Sequence, residues 1–444
     1  MPDRDAAAAA PVGRGWWFLL VLGLIYMFNF VDRTAISVVG EAIRHDLHLS
    51  DLQLGLLGGL SFSLFYAALG IPLARLAERR SRIGIIAAVT AIWSVMTALS
   101  GMAGSYAQLL VCRMGVGIGE AGFTPALVSM LSDRFPPERR AAAFSIVALG
   151  VPIGAAVAAT GGGLIAKLYG WRAAFLVLGV PGLLLALLVI ATIKEPRRHD
   201  AGEGVAPSFG AVLRRLARSR AFIHLTLGSG LVGMVGFGLN LFMIPLLVRR
   251  YGLDLAQAGA VFAFSSSLAI MLGSLLGGLV ADALGRRDIR WFGWAPASLM
   301  AIALPLYTVA LLQADWRAFM ALMFLASAAL YAFLPAIMTV TQRLVEPRMR
   351  ASAAALHAFG QTVAGLGIGS VLLGSLSDRF ARSAFAGDYR VACIGTTGQP
   401  LTGACVRASA TGLQHAMLAA GLVLLWAIVH YLLAARALPD EVRS

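Results

Sequence analysis

Long apolar runs separated by short polar segments make up most of the chain. Twelve of these runs are long enough to cross about 30 Å of hydrocarbon as helices of roughly 20 residues. A segment that crosses lipid must pair its backbone N–H and C=O groups internally, which a helix does. The pattern therefore predicts an all-α membrane protein with twelve transmembrane helices. Numbered 1 to 12 in chain order, they are predicted at about 16–41, 51–77, 83–103, 106–132, 141–168, 172–193, 221–248, 255–281, 291–313, 316–342, 351–378 and 412–436.

Composition and charge exclude several classes of protein. Hydrophobic residues make up 59% and charged residues 13% of the 444 positions, a balance that a soluble domain of this size could not carry. The net charge of +14 comes from arginines in short clusters between the apolar runs. Such clusters are typical of orientation in a membrane, so we expect no binding of nucleic acid.

The chain lacks the motifs of nucleotide-dependent and metal-dependent enzymes. Its only lysines are Lys167 and Lys194, and neither belongs to a phosphate-binding glycine loop. Cysteines and histidines do not occur at the spacing of metal ligands. We therefore expect no enzyme activity, no catalytic residue, no cofactor and no metal. A proton or ion gradient would have to supply the energy for transport.

Lysine and arginine residues are distributed unequally between the two sides of the membrane. The tails and connections on the side of the N-terminus hold 23 of them, the opposite side holds 10, and three lie within helices. Positive residues accumulate on the cytoplasmic side, so both termini are expected there. Short loops without a glycosylation sequon favour a bacterial inner membrane. The first apolar run has no signal cleavage site, so helix 1 is expected to remain as a membrane anchor.

The two halves of the chain repeat each other, as expected for two pseudo-symmetric six-helix bundles that rock about a substrate site between them. The expected domains are a cytoplasmic tail 1–15, an N-terminal bundle 16–194, a cytoplasmic linker 195–220, a C-terminal bundle 221–437 and a second tail 438–444. We expect a monomer surrounded by bilayer lipid. The matching residues are Gln53 and Gln257, Gly55 and Gly259, Ser61 and Ser265, Ser63 and Ser267, Glu78 and Asp282, Arg82 and Arg286, Pro125 and Pro335, Pro137 and Pro347, and Arg140 and Arg350.

Four ionisable residues lie inside the apolar runs, Asp32 and Arg33 in helix 1 and Arg113 and Glu120 in helix 4. Charges at membrane depth usually pair or line a polar pathway. Arg113 and Glu120 are seven residues apart and share a helix face, and Asp32 is expected at a depth between them. We expect Asp32 and Glu120 to compete for Arg113, and the acid that loses to carry a proton. The alternative is a static buried ion pair that only locks helix 1 to helix 4.

The second half of the chain lacks these charges. The repeat equivalents are Gly236 and Phe237 in helix 7 and Met323 and Leu330 in helix 10. A cavity between such halves would have one ionisable wall and one apolar wall, which suits an amphiphile with a charged head and a hydrocarbon tail. Tighter packing of the second half is the alternative explanation.

Other polar residues complete the predicted site. Asn29, Asn240 and His357 are candidate substrate contacts, although a lone histidine in a membrane is more often a hydrogen-bonded packing residue. The predicted proton-coupling residues are Asp32, Glu120 and Arg113. The predicted substrate-binding residues are Asn29, Asp32, Arg33, Arg113, Glu120, Phe237, Asn240, Met323, Leu330 and His357.

Two cysteines, Cys393 and Cys405, lie in one long loop on the side opposite the termini, predicted at 379–411. On the oxidising side of a membrane such a pair can form a disulfide. Two independent thiols are the alternative.

The connections between helices 2 and 3 and between helices 8 and 9 carry related charged motifs. The first runs from Ala74 to Arg82, and the second begins at Gly278. Together they resemble the loop signature of the major facilitator superfamily, in which an acid at the end of helix 2 faces the N-terminus of helix 11. The resemblance implies a latch on the cytoplasmic side, made of Glu78, Arg79, Arg82, Asp282, Arg286 and Arg287. A generic positively charged loop is the alternative.

Within that superfamily, the segments Asn29–Arg33 and Arg113–Ala121 resemble the spinster type. That resemblance implies transport of a lysolipid or sphingoid phosphate with proton coupling. We therefore predict a proton-coupled secondary transporter of an amphiphilic substrate. The alternatives are a multidrug or small organic-anion carrier of the same superfamily, and a non-transporting receptor or lipid scramblase built on the fold.

Overall fold

The described part of the chain forms twelve helices that can cross a membrane, as the apolar runs predicted. A computed structural model describes residues 12–195, 209–346, 349–394 and 403–442, and within these ranges it holds helices and connections but no strand. Eleven helical stretches among them are long and apolar enough to cross a membrane. One of these, Ala142–Thr192, has 51 residues and is interrupted at Gly170, where φ is 85°. A straight helix of that length would measure about 76 Å, so this stretch supplies two crossings.

The helices are labelled in chain order, and their bounds agree with the predicted runs within a few residues at most ends. A short helix, Phe209–Ala217, precedes the second half. The twelve long helices are α1 Val12–Asp46, α2 51–79, α3 Arg82–Ser100, α4 Tyr106–Arg134, α5 137–169, α6 171–192, α7 Arg220–Tyr251, α8 Leu255–Gly285, α9 Trp291–Leu312, α10 Trp316–Arg343, α11 350–383 and α12 Gly403–Val442.

We call the side where α1 begins and α12 ends the termini side, and the opposite side the far side. On the far side, three helices extend beyond their predicted ends. Helix α1 continues to Asp46, α11 continues to Ser383, and α12 begins at Gly403. The long loop predicted at 379–411 is therefore wrong at both ends. Charged residues near these ends are typical of loops in a sequence. Several of them are buried against neighbouring helices, and the helices continue through them.

The repeat extends to the irregularities of the helices. Helix α4 is interrupted after Glu120, and α10 is interrupted after Tyr331, close to the position related to it by the repeat. Helices α5 and α11 each contain a π-helical segment, Ala158–Gly162 and Thr362–Gly369. Glu120 thus lies where a membrane helix ends and restarts, a common site of function in transporters.

The two bundles pack against each other through glycines on the far side. A Cβ atom on Gly55 would overlap the backbone oxygen of Ser370, and one on Gly374 would overlap the backbone oxygen of Asp51. These contacts join α2 to α11. Small residues allow membrane helices to approach closely, so the far side is tightly closed. The exact domain bounds, including the linker predicted at 195–220, stay a prediction, and residues 196–208 lie outside the described ranges.

Candidate functional site

The four charged residues predicted as the site lie together between α1 and α4. The Nη2 and Nε atoms of Arg33 lie 2.6 and 3.1 Å from Oε2 of Glu120. The Glu120 side chain is fully buried, whereas that of Arg33 remains 26% exposed. The pair therefore has one inaccessible member and one that a molecule between the bundles can reach.

Three aromatic rings surround the Arg33 guanidinium. Its central carbon lies 5.0 Å from the ring centre of Phe30, 4.9 Å from that of Phe62 and 5.2 Å from that of Tyr66. A guanidinium within about 6 Å of an aromatic face is attracted by the ring, most strongly where water is scarce. These rings, from α1 and α2, fix the arginine next to Glu120. This aromatic cage was not predicted, because Phe and Tyr at membrane depth cannot be told from lipid-facing residues in a sequence.

Arg113 and Asp32 form a second, looser contact. Nη1 of Arg113 donates to the backbone oxygen of Asp32 at 3.3 Å, and both side chains are buried. Among the described atoms, Nε and Nη2 of Arg113, Oδ1 of Asp32 and Oε1 of Glu120 have no hydrogen-bond partner. Buried polar groups usually take part in hydrogen bonds, so these atoms are available to donate to or accept from a further group.

The pairing differs from the one predicted. Arg113 was expected to bind a carboxylate for which Asp32 and Glu120 competed, but Arg33 binds Glu120. No ion pair of Arg113 occurs among the residues that the structure describes. Two turns of helix, about 10.5 Å, separate Arg113 from Glu120 along α4, and the facing turn of α1 brings Arg33 to the nearer acid.

The C-terminal bundle presents a pocket that is less apolar than predicted. Met323 and Leu330 line it as expected, and so does Asn240. Polar side chains from α8 and α10 share the same wall, and Gly236 occupies the position that repeats Asp32. The polar lining residues are Asn240, Ser265, Ser266, Ser327 and Tyr331.

Three further predicted positions behave differently from one another. Phe237 packs against a buried apolar cluster that belongs mostly to the N-terminal bundle. Asn29 is buried on α1, one turn before Arg33. His357 is 0% exposed, and its Nδ1 lies 3.3 Å from Oγ1 of Thr226 on α7. Its Nε2 has no hydrogen-bond partner among the described atoms, and its role as a substrate contact stays a prediction.

The charged motif at the start of α3 forms contacts within the N-terminal bundle. Arg82 is buried and pairs with Asp133 at the end of α4, and its Nε lies 2.8 Å from Oε1 of Glu195. Glu195 also accepts hydrogen bonds from the backbone N–H groups of Arg82 and Ile83, and so caps α3. Burial alone would raise the pKa of Glu195, but the hydrogen bonds from Arg82, Ile83 and Ser81 lower it below its ordinary value.

The corresponding motif at the end of α8 is exposed. Nε of Arg286 donates to the backbone oxygen of Asp282 at 3.1 Å, and Arg287 and Arg79 are exposed. The side chain of Glu78 lies outside the described residues. The latch formed by these residues therefore stays a prediction.

A buried ionic cluster on the far side was not predicted. Arg249 of α7 reaches across to Glu41 of α1 and Asp51 of α2, at 2.6 and 2.8 Å. The only sequence signal for it is an acid or arginine near the end of several helices, and such residues usually mark the membrane surface. Near this cluster, Cys393 and Cys405 are joined in a disulfide with Cα atoms 5.5 Å apart.

Comparison with known proteins agrees with this architecture. The family model of the Major Facilitator Superfamily matches residues 22–370. An MFS-type efflux pump of Mycolicibacterium smegmatis is 33% identical over 376 residues, which cover 85% of this chain and 87% of the pump. Protein spinster of Drosophila melanogaster is 27% identical over 304 residues, which cover 65% of this chain and 50% of that protein.

A solved structure resembles the whole chain. It is the crystal structure of a bacterial homologue of the human lysosomal transporter spinster, in an inward-facing and unoccupied conformation. The two agree with a TM-score of 0.86 and 32% sequence identity over 97% of this chain and 99% of the other. The resemblances to the superfamily and to spinster proteins are thereby confirmed.

Proposed function

Because this chain belongs to the major facilitator superfamily, we propose that it is a proton-coupled secondary transporter of an amphiphile that resembles a lysolipid or sphingoid phosphate. Transport would proceed by alternating access, with the two bundles rocking about the site between α1 and α4 of one bundle and α7 and α10 of the other. The observation that carries the proposal is the ion pair between partly exposed Arg33 and buried Glu120.

This ion pair would link the binding of a proton to the binding of an anionic head group. Arg33 can bind the carboxylate of Glu120 or a phosphate from the substrate, and each competes with the other. When substrate takes Arg33, Glu120 keeps a buried charge without its partner, and uptake of a proton becomes favourable. Binding of the substrate would then favour binding of the proton, and binding of the proton would favour binding of the substrate.

Asp32 and Arg113 extend the same site. The two unpartnered nitrogens of Arg113 can donate to a second phosphate oxygen, and the unpartnered Oδ1 of Asp32 can hold a proton or accept from a substrate hydroxyl or ammonium. A head group with both an acceptor and a donor suits this arrangement better than a simple anion.

The opposite wall suits a hydrocarbon chain. Met323 and Leu330 line the pocket of the C-terminal bundle, and Phe237 of α7 packs against an apolar cluster that belongs mostly to the N-terminal bundle. A chain that runs from Arg33 along these side chains would bury methylenes at about 0.8 kcal/mol each.

For orientation, we propose that the termini side is cytoplasmic and that the membrane is the inner membrane of a bacterium, with the protein acting as a monomer. The unequal distribution of Lys and Arg supports the orientation. The site would then be open to the cytoplasm in this structure, since the bundles are packed together on the far side.

Flux in proteoliposomes tests the proposal. A lysophospholipid with a fluorescent chain is loaded on one side, and its movement is followed with and without a pH gradient, for wild type and for Glu120→Gln. We expect the gradient to accelerate wild-type flux and to leave the variant unaffected. Asp46→Asn is the control, because Asp46 forms an exposed ion pair with Arg172 away from the site. Equal flux without a gradient in wild type would instead indicate a scramblase.

A multidrug carrier is the second candidate. The efflux pump of Mycolicibacterium smegmatis supports it, and so do the hydroxyl and amide groups among the pocket residues. Thermal stabilisation by a panel of soluble drugs, with none by lysolipids, would favour this function.

A further inference from the structure

The far-side cluster is centred on Arg249. Its Nε and Nη2 lie 2.8 and 2.6 Å from Oε2 of Glu41, and its Nη1 and Nη2 each lie 2.8 Å from an oxygen of Asp51. Nη1 also donates to Oγ of Ser409 at 3.1 Å. An arginine of the C-terminal bundle thus holds two acids of the N-terminal bundle.

A second arginine and a third acid complete the cluster. Nε of Arg44 lies 3.2 Å from Oδ1 of Asp51, and its Nη2 donates to the hydroxyl of Tyr389 at 3.3 Å. Asp378 of α11 accepts the backbone N–H groups of Asp51 and Leu52, both at 2.9 Å. Its carboxylate therefore caps the first turn of α2 from the other bundle, where the helix dipole favours negative charge.

The charges of this cluster do not balance. The three acids Glu41, Asp51 and Asp378 face the two arginines Arg44 and Arg249, and all five residues are buried. Ser377 donates to Asp51 at 2.5 Å but adds no charge. By formal charge one negative group remains in excess, and the N-terminus of α2 offsets it only in part. An excess of buried charge opposes closure of the bundles around it.

His45 is placed to supply the missing positive charge. It lies one turn after Glu41 on α1, and its Nε2 is 3.1 Å from Oε1 of that acid. Its side chain is 49% exposed, so it can exchange protons from outside the cluster. The neighbouring acid Asp46 is already paired with Arg172 at 2.7 Å.

We propose that His45 and Glu41 form a second proton-binding site, separate from Asp32 and Glu120, and that a proton bound there closes the far side of the transporter. With His45 protonated, three positive and three negative groups face one another across the bundles. With His45 neutral, the excess negative charge is restored and separation of the bundles hydrates the acids. The inference depends on alternating access and not on the identity of the substrate.

The sign of the pH dependence follows. A proton that binds better to the closed far side than to the open one shifts the population toward closure as the pH falls. The open population should therefore rise as the pH increases. Because His45 is half exposed, the closed-to-open ratio should change by roughly two- to fivefold, as expected for a single exposed ion pair.

Distances between spin labels on the far side test the proposal. Met102, between α3 and α4, and Leu312, at the end of α9, are exposed positions on different bundles. Cys112, a buried free cysteine, is first replaced by Ser so that it takes no label. Cysteines are then placed at Met102 and Leu312, and the distance distribution is recorded in proteoliposomes from about pH 5 to about pH 8. We expect the longer-distance population of wild type to increase with pH.

Three variants separate the proposed site from general effects of pH. His45→Gln should lose the pH dependence, and His45→Lys should stay closed at every pH because its charge is permanent in this range. His48→Gln, a nearby histidine in the connection between α1 and α2, is the matched control and should follow wild type. An unchanged pH profile in His45→Gln or in His45→Lys would overturn the proposal. Neither result bears on the substrate, since no flux is measured.

Discussion

Arg33 binds Glu120 at the point where α4 ends its first segment, with 2.6 Å between Nη2 and Oε2. This pair joins two helices of one bundle next to the space between the bundles. Because Arg33 is the accessible member, a substrate can compete for it without first exposing the buried acid.

The aromatic cage should set the affinity for anionic head groups. Tyr66→Leu removes one ring from the Arg33 guanidinium and should weaken binding of a lysophospholipid about fivefold, since such a contact contributes about 1 kcal/mol. Titration of purified protein with the lipid measures the effect. Tyr169→Leu, at an exposed position, serves as the control. Equal affinities in the two variants would show that the cage does not position Arg33.

The two buried acids should be needed for coupling and not for folding. Asp32→Asn and Glu120→Gln keep the shape of each side chain but remove its capacity to carry charge. We expect both variants to lose uphill transport driven by a pH gradient while they still exchange substrate at equal concentrations. Gradient-driven and exchange flux are compared in the same proteoliposomes. Uphill transport in both variants would contradict the assignment of these acids.

Affinity should depend on the length of the hydrocarbon chain. Each additional methylene should contribute up to ~0.8 kcal/mol until the cavity is filled. Leu330→Ser should weaken long-chain lysolipids more than short-chain ones, because Leu330 lines the pocket. Leu325→Ser, on an exposed face of α10, should affect both equally. Affinity that is indifferent to chain length would argue for the drug or organic-anion carrier.

Glu195 should stabilise the termini side at neutral pH. Its pKa is lowered, because the hydrogen bonds from Arg82 and from the start of α3 outweigh the effect of burial. A lowered pKa contributes stability above the ordinary glutamate value of about 4.3 and loses it as the pH falls through the lowered value. Glu195→Gln should therefore reduce the free energy of unfolding at pH 7 by about 1 kcal/mol or less.

Thermal unfolding at neutral and acidic pH checks this expectation. The difference between Glu195→Gln and wild type should shrink in acid. Glu346→Gln changes an exposed acid on the same side and should have no comparable effect. A constant difference at both values of pH would mean that the charge of Glu195 is not what stabilises α3.

The sequence predicted the helices and the membrane-depth charges but not their partners. Apolar runs fix how many times the chain crosses lipid, and repeat offsets relate positions such as Pro125 and Pro335. Spacing gives the depth of Arg113 and Glu120 along one helix but not the rotation of a neighbouring helix. For that reason the sequence offers both Arg33 and Arg113 as partners for the acids and does not assign Arg33 to Glu120.

The far-side cluster was missed for a different reason. Glu41, Arg44 and Arg249 lie near helix ends, where charged residues usually mark the membrane surface. Their burial arises only when the two bundles meet, and that contact joins residues about 200 positions apart, such as Glu41 and Arg249. Local patterns show the charged residues at the helix ends but not that these residues meet.

The close approach of Gly374 to the backbone of Asp51 offers a way to prepare the conformation that is open on the far side. A single methyl group at this position would overlap a main-chain oxygen, which cannot move aside as a flexible side chain can. Gly374→Ala would thus act as a wedge between α2 and α11 on the far side and leave the charged site unchanged. A protein trapped in this way would allow ligand affinity to be measured from the other side of the membrane with the native site intact.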